Sequence, residues 1–375
     1  MKFALNAAFV FVFAGLLILP ASAQTPVGTP PPLIIDSDEI IKVESRLIVI
    51  PVSVTDGMGN AVKGLDAENF VVFENRKKQD IVEVAKAEQV PLEIAILFDI
   101  SASTDAMFRF EQETAAKFLL DVMRPIDHAT IFTIGEQPRM LQQRSSAQIS
   151  VQTIKTLQPS KEYTAFFDAV SSAADYLRKN SDPKSRKVVI AITDGEDTNS
   201  EGVREGFASA FAAIGERINT ITNEQRRDIL VKKRNEVRHA EQNKSLKYLQ
   251  DADAVFYSIN PAGSSLKLNS MSRFGQENMI RFADETGGTA FLPTFLPTNL
   301  KSDYENQANL RKNSDSLDAI FGKLRSELQA QYLVQYYSNG DFEEGKYVNV
   351  DLKVNVSLPQ GISVRSRNGY FVKKL

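Results

Sequence analysis

Apolar runs alternate with helix-type segments through the middle of the chain, from residue 92 onward. The first run, LEIAILFD, is followed by four more strand-type runs, and segments with helical periodicity separate most of them. This alternation predicts a mostly parallel, doubly wound, Rossmann-like sheet that helices cover on both faces. The predicted strands are LEIAILFD, ATIFTIG, KVVIAITD, DAVFYSI and TAFLP, and the predicted helices span 108–123, 147–157, 165–178, 279–286 and 315–329.

Shorter alternating runs flank this region on both sides. Residues 43–84 read as strands with turn signals, and residues 331–375 return to the same pattern around the turn Asn339-Gly340. Neither piece has enough strands for a sandwich of its own. We therefore predict one small antiparallel β-sandwich-like domain, formed by N- and C-terminal segments, with the α/β domain inserted in it. Two separate subdomains are the alternative.

A long charged segment interrupts the α/β pattern. Residues 203–249 favour helix and contain no Gly or Pro after Gly215, which predicts a long helix or a helical hairpin. A solvated helix with many i,i+4 charge pairs is favoured over a partner-binding arm. Residues 296–313 are polar, and we expect irregular structure there.

The N-terminus carries the pattern of an export signal. Lys2 precedes an apolar core at 8–19 and the small residues Ala21-Ser22-Ala23, which favours a cleaved secretory peptide over an uncleaved membrane anchor. We expect an exported protein, periplasmic or secreted, with no stable membrane span after cleavage. The predicted domains are a signal peptide (1–23), a Pro-rich linker (24–39), an N-terminal β segment (40–90), an α/β domain (91–330) with a helical insertion at about 201–250, and a C-terminal β segment (331–375) that pairs with 40–90.

The amino-acid composition excludes several kinds of partner and site. The 375 residues are 43% hydrophobic and 24% charged, with a formal net charge of −3 and basic residues spread along the chain, so we expect no nucleic-acid partner. The chain has no Cys and only two His residues. Disulfides, thiolate metal sites, Cys nucleophiles and His-rich zinc centres are thereby excluded.

Oxygen-bearing side chains follow two of the apolar strands. Asp99, Ser101 and Ser103 occupy alternate positions at the end of LEIAILFDISAS, so in extended backbone they point the same way. Thr164 follows a polar loop, and Asp194 ends the strand VVIAITD. Such oxygens suit a hard cation such as Mg²⁺. Taken singly, each residue also fits a helix cap or an ordinary turn.

The order D-x-S-x-S, then T, then D resembles the metal-ion-dependent adhesion site, MIDAS, of von Willebrand factor A domains. The resemblance implies that Ser101 and Ser103 are direct hydroxyl ligands, that Thr164 binds directly or through water, and that Asp99 and Asp194 act largely through water. It implies Mg²⁺, with Mn²⁺ or Ca²⁺ as alternatives. It also implies a protein partner that offers an acidic residue to the open coordination position.

Two positions depart from the family pattern. Residues 161–164 read Lys-Glu-Tyr-Thr where relatives often have GGT, and Thr104-Asp105 stands where an apolar residue is common. The loop change removes flexibility and places the Glu162 carboxylate near the predicted centre, where it would alter metal affinity or compete with the ligand. Neither change removes a predicted ligand.

The segments VTDGMGNAVKGLDAENFVVFENRKKQDI, ITDGEDT, YLVQYYS and VRSRNGYF resemble a bacterial exported group with VWFA-related domains. We therefore expect a metal-dependent, adhesion-type binding module and not an enzyme. One alternative is an envelope structural or assembly protein with a stabilising metal. The other is an aspartate-nucleophile phosphatase, which would carry a second Asp where Ser101 stands.

Overall fold

The computed structural model describes residues 46–101, 105–160, 162–217, 219–260, 270–298, 300–357 and 361–373. The predicted signal peptide, the linker and Ser103 lie outside the described residues. None of the described helices combines the length and apolar character needed to cross a bilayer.

The helices and strands follow one another along the chain in this order: β1 (Arg46–Asp56), β2 (Phe70–Glu74), β3 (Lys77–Gln79), β4 (Ile81–Lys86), β5 (Leu92–Asp99), α1 (Asp105–Val122), β6 (His128–Ile134), β7 (Arg139–Ser145), α2 (Ala147–Thr156), α3 (Phe166–Asn180), β8 (Arg186–Ile192), α4 (Glu201–Glu216), α5 (Asn223–Asp251), β9 (Ala254–Ile259), α6 (Ser270–Thr286), β10 (Ala290–Phe291), α7 (Asp303–Gln329), β11 (Gln331–Ser338), β12 (Tyr347–Val354), β13 (Ile362–Ser366) and β14 (Gly369–Phe371).

The central sheet has six strands in the order β10-β9-β8-β5-β6-β7, and all pair in parallel except the edge strand β7. The chain moves outward from β5 through β6 and β7, then returns to the other side of β5 with β8. The strand order therefore reverses between β5 and β8, which pair directly. In sheets of this kind, ligands bind outside the carboxyl ends of the strands at this reversal.

Helices cover both faces of the central sheet. The side chains of β5 alternate between two cores, with Ile94 and Ile96 in one and Ala95 and Leu97 in the other. Helices α1, α2 and α7 close the first core, and α3, α5 and α6 close the second. Burial on both faces explains why β5 and β8 are almost continuously apolar. The predicted doubly wound fold class is confirmed.

The outer strands form two four-stranded antiparallel sheets with a shared apolar core. One sheet has the order β13-β1-β11-β4 and the other β14-β12-β2-β3. Each sheet thus combines strands from both ends of the chain, as the predicted composite β domain requires. Two separate subdomains are not the arrangement observed.

A buried carboxylate connects these two sheets. Glu74 on β2 is 3% exposed and accepts hydrogen bonds from the hydroxyls of Tyr336 (2.9 Å), Ser338 (2.9 Å) and Tyr370 (2.7 Å). Burial and the neighbouring Glu74 charge raise the pKa of both tyrosines above the ordinary value. The tyrosines therefore stay protonated and act as donors to Glu74.

The charged segment forms a hairpin of α4 and α5, one of the two predicted arrangements. The structure differs from the predicted elements in three other places. Helix α6 begins at Ser270, before the predicted start at residue 279. Helix α7 begins at Asp303, so the irregular structure predicted over 296–313 is wrong for the second part of that range; there, Ser302 Oγ accepts a hydrogen bond from Glu305 N. Strand β7 is absent from the prediction because only Gln142 of its seven residues is buried.

A charged cluster joins the start of β9 to the C-terminal strands. Asp253 accepts a hydrogen bond from Arg367 Nη1 (2.8 Å) and another from Lys373 Nζ (3.3 Å), and Arg367 is 3% exposed. Burial alone would raise the pKa of Asp253, but the charges of Arg367, Lys373 and Lys187 outweigh burial and hold the pKa below its ordinary value of 3.8. The charged form of Asp253 therefore stabilises the folded state.

Asp253→Asn should lower the free energy of unfolding at pH 7 by about 2–4 kcal/mol, since the Arg367 charge loses its partner. Asn tolerates the positive φ of 53° at this position, so the backbone conformation is retained. The pKa of Asp253 is lower in the folded state than in the unfolded state. Its contribution to the free energy of unfolding is therefore complete when the pH is above the ordinary pKa, and it disappears as the pH falls through the pKa of the folded state. Urea unfolding at pH 7 and pH 3.5 should show the gap between wild type and variant shrinking at the lower pH. An equal gap at both pH values would contradict this account.

Candidate metal centre

Asp99 ends β5 and connects two loops at the carboxyl edge of the sheet. Its Oδ1 accepts hydrogen bonds from Ser101 Oγ (2.6 Å) and Ser101 N (2.9 Å). Its Oδ2 accepts a hydrogen bond from Thr193 Oγ1 (2.7 Å), which follows β8 directly. The carboxylate is therefore fixed from both sides of the strand reversal. Thr193 is fully buried, and the sequence analysis missed it because a Thr at the end of an apolar strand is ordinary.

Thr164 reaches the same place from a third loop. Its Oγ1 donates to Ser101 Oγ at 3.1 Å, and the residue is 8% exposed. Helix α3 begins at Phe166, two residues later, and Thr164 makes no capping bond to it. Helix capping, the alternative explanation for Thr164, is therefore wrong. The hydrogen bonds of Ser101 to described residues are with Asp99 and Thr164.

Asp194 lies two residues beyond the end of β8. Its Oδ1 accepts a hydrogen bond from Glu196 N at 3.0 Å, within a turn where Gly195 has a φ of 74°. A Cβ at Gly195 would lie 2.4 Å from the carbonyl oxygen of Gly275, so the turn requires glycine for two reasons. The turn interpretation of Asp194-Gly195 is thus correct, and the same turn places the Asp194 carboxylate at the sheet edge.

Negative charge accumulates at this edge. Burial raises the pKa of Asp99, and bonds from Ser101 and Thr193 offset part of the rise, while the Glu196 charge adds to it. Burial raises the pKa of Asp194 to about 6, and the charges of Asp99 and Glu196 contribute. The strongest charge effects on both groups therefore come from other carboxylates. Glu196, which also accepts a bond from Ser272 Oγ (2.5 Å), is a third acidic group that the sequence analysis missed.

The side chains present fit a hard divalent cation. Hydroxyl and carboxylate oxygens are the donors that Mg²⁺ prefers, and a cation would offset the repulsion among the carboxylates. The described residues contain no group of three or more His, Asp or Glu side chains placed to hold a metal. The predicted centre depends instead on hydroxyls together with Asp99 and Asp194.

Glu162 and Tyr163, which stand where relatives often have glycines, have no described hydrogen bond to this cluster. Glu162 Oε2 accepts a hydrogen bond from Glu136 N (3.3 Å), and Glu162 Oε1 lies 3.8 Å from an Arg139 nitrogen. Glu162 therefore bonds to the turn between β6 and β7, and the structure gives it no bond to Ser101 or Thr164. Tyr163 is 67% exposed beside Thr164.

Comparison with known proteins identifies the α/β domain. Residues 94–196 match the family model described as the von Willebrand factor type A domain. This confirms the resemblance seen in the sequence. The matched segment includes Asp99, Ser101, Thr164 and Asp194, as well as Ser103.

Solved structures to which this chain is similar include three that share little sequence with it. Proximal thread matrix protein 1 from the mussel byssus is 13% identical, with a TM-score of 0.41, over 72% of this chain and 50% of that one; this chain thus spans half the length of the mussel protein it matches. A second structure of the mussel protein, with a zinc-occupied MIDAS motif, is 15% identical, with a TM-score of 0.35, over 66% of this chain and 47% of that one. BatB from Bacteroides thetaiotaomicron is 14% identical, with a TM-score of 0.32, over 61% of this chain and 99% of that one. No curated protein sequence matches the chain.

Thr193→Val should lower the free energy of unfolding by about 1–3 kcal/mol, because Asp99 Oδ2 loses its donor and Gly195 N loses its acceptor. Thr193→Ser keeps the hydroxyl and should cost at most about 1 kcal/mol for the lost methyl group. Urea unfolding of the three proteins measures both values. Equal stability of Thr193→Val and wild type would show that the hydroxyl does not support Asp99.

Proposed function

We propose that this protein is a binding module whose VWA domain holds a divalent cation, Mg²⁺ in the first place, and grips an acidic residue of a protein partner. The proposed ligands are Asp99, Ser101, Ser103, Thr164 and Asp194. The observation that carries the proposal is the 3.1 Å contact between the hydroxyls of Thr164 and Ser101, which brings residues 63 positions apart together beside Asp99. Capping and turn formation do not account for that contact.

The protein's own groups have separate tasks in this proposal. Asp99 orients the Ser101 hydroxyl through a 2.6 Å hydrogen bond and is itself held by Thr193. Ser101 and Thr164 offer neutral oxygens, which leave the positive charge of a bound ion largely unquenched. A divalent cation held there would supply that charge and an open coordination position to a partner's carboxylate. The strand reversal keeps this edge of the sheet open to a ligand.

The contacts of Asp99 argue against the phosphatase alternative. A nucleophilic carboxylate needs an oxygen free to attack the substrate. Both oxygens of Asp99 accept hydrogen bonds, from Ser101 on one side and Thr193 on the other. Ser101 also occupies the position where such enzymes carry a second Asp. Binding therefore accounts for the arrangement better than phosphoryl transfer does.

The proposed setting is the cell envelope or the exterior. The export pattern over residues 1–23 supports this placement, together with the polar, proline-rich stretch that follows. An exported adhesion module would meet Mg²⁺ and protein surfaces there. An envelope assembly protein with a stabilising metal remains the second candidate, and loss of stability without loss of partner capture in metal-site variants would favour it.

Mg²⁺ or Mn²⁺ should raise the melting temperature of the purified protein, and a chelator should reverse the rise. A ligand at 100 times its Kd stabilises the folded state by about 2.7 kcal/mol. Asp194→Ala and Ser101→Ala should abolish the rise. Asp175→Asn is the matched control, because Asp175 lies on α3 and its ion pairs among the described residues are with Arg178 and Lys179. The metal centre would be refuted by a melting temperature that neither ion changes in the wild-type protein.

The partner prediction concerns capture from envelope extracts. Wild-type protein should retain a partner in Mg²⁺ and release it in chelator, and Ser101→Ala should retain none. Replacing single Asp or Glu residues of the captured partner with Asn or Gln should identify one position that abolishes binding. Equal retention in Mg²⁺ and chelator would remove the metal from the binding mechanism.

A further inference from the structure

The loop after β8 holds Thr164 by its backbone. The amides of Thr198 and Asn199 both donate to the Thr164 carbonyl oxygen, at 2.9 and 3.0 Å. In the other direction, Thr164 N donates to Thr198 Oγ1 at 3.0 Å. Both backbone polar groups of Thr164 are therefore bonded to two consecutive residues of the loop that also carries Asp194.

The Asp197 side chain, in the same loop, binds the start of α3 and so supports the contact between Thr164 and Thr198. The side chain is buried, with the residue 2% exposed, and accepts hydrogen bonds from Phe167 N (2.9 Å), Ser200 N (3.0 Å) and Ser200 Oγ. Phe167 is the second residue of α3, where a helix leaves backbone N–H groups without partners of its own. A carboxylate 30 positions further along the chain thus ties the start of α3, and the Thr164 that precedes it, to the Asp194 loop.

The junction continues into the next helix. Ser200 Oγ accepts from Asp168 N (3.1 Å), and Asp168 Oδ2 accepts from Glu201 N (2.8 Å). The two side chains differ in their partners: Asp168 accepts from the first residue of α4, whereas Asp197 accepts from Phe167 N at the start of α3 as well as from Ser200. This difference provides a matched pair for experiment.

We infer that Asp197 and Thr198 are positioning residues for the metal centre. They hold the Thr164 hydroxyl against Ser101 and fix its position relative to Asp194. This inference rests on the proposed function. Neither side chain bonds to the oxygens of Ser101 or Asp99, so both act through Thr164. A further backbone bond, from Ala165 N to Gly135 O (2.8 Å), fixes this stretch to the residue that follows β6. Asp197 and Thr198 belong to the same loop as Asp194. They therefore hold Thr164 in a fixed position relative to Asp194.

The direct test replaces Thr198 and measures Mn²⁺ binding by isothermal titration, with Mn²⁺ alone as the probe. Thr198→Val keeps the shape of the side chain and removes the acceptor for Thr164 N. Residues that orient metal ligands typically change affinity 10–100-fold, so we expect at least a 10-fold rise in the Mn²⁺ Kd. Thr198→Ser keeps the hydroxyl and should stay within about 3-fold of wild type, well below that range.

A second pair separates positioning from general stability. Asp197→Asn should raise the Mn²⁺ Kd at least as much as Thr198→Val does, whereas Asp168→Asn should leave it unchanged. Melting temperatures of the metal-free proteins show how far each variant is destabilised. A folded Thr198→Val or Asp197→Asn protein that binds Mn²⁺ as wild type does would overturn the inference. Wild-type protein that binds no Mn²⁺ would instead overturn the proposed function.

Discussion

The hydrogen-bonded carboxylate of Asp99 is the interaction on which the candidate site depends. It lies where the strand order reverses, and it accepts hydrogen bonds from Ser101 in one loop and Thr193 in another. Ser101 in turn meets Thr164 from a third loop. Without the Asp99 carboxylate, the hydroxyls of Ser101 and Thr193 would lose their shared hydrogen-bond acceptor, and the oxygen cluster at the sheet edge would separate.

This cluster requires a rigid base, and the two cores of the α/β domain supply it. The side chains of β5 are divided between them, so both faces of the strand that carries Asp99 are packed. The β domain attaches elsewhere, through contacts that include the Asp253 and Arg367 pair. The oxygen-bearing side chains of the candidate site therefore lie at the ends of packed strands, and hydrogen bonds between the loops fix their positions.

Much of the fold could be predicted from the sequence because burial on two faces leaves a clear mark. Strands such as β8 are almost continuously apolar, and the predicted helices carry the 3.6-residue period. Strand β7 escaped prediction since an edge strand buries little. The first part of α7 also escaped, because its polar residues face solvent and the cap at Ser302 is only a local signal.

The candidate site was predictable to the extent that its residues follow a recognisable order. Asp99, Ser101, Thr164 and Asp194 were named from that order, and the structure brings Asp99, Ser101 and Thr164 into one hydrogen-bonded cluster, while the Asp99 charge contributes to the raised pKa of Asp194. Their role as metal ligands stays a prediction. Thr193, Glu196 and Asp197 could not have been found this way, since their importance comes from contacts between loops far apart in the chain. A Thr or an Asp in a loop has no periodicity that distinguishes a supporting residue from an ordinary one.

Anomalous X-ray scattering from crystals grown with Mn²⁺ tests whether the Ser101 and Thr164 hydroxyls bind a metal ion. We expect an anomalous peak within metal–oxygen bonding distance, about 2 Å, of both hydroxyls, in the range of small divalent ions. The same peak should vanish in Ser101→Ala crystals. Well-ordered wild-type crystals with no peak at these hydroxyls, or with a peak held by other side chains, would contradict the account.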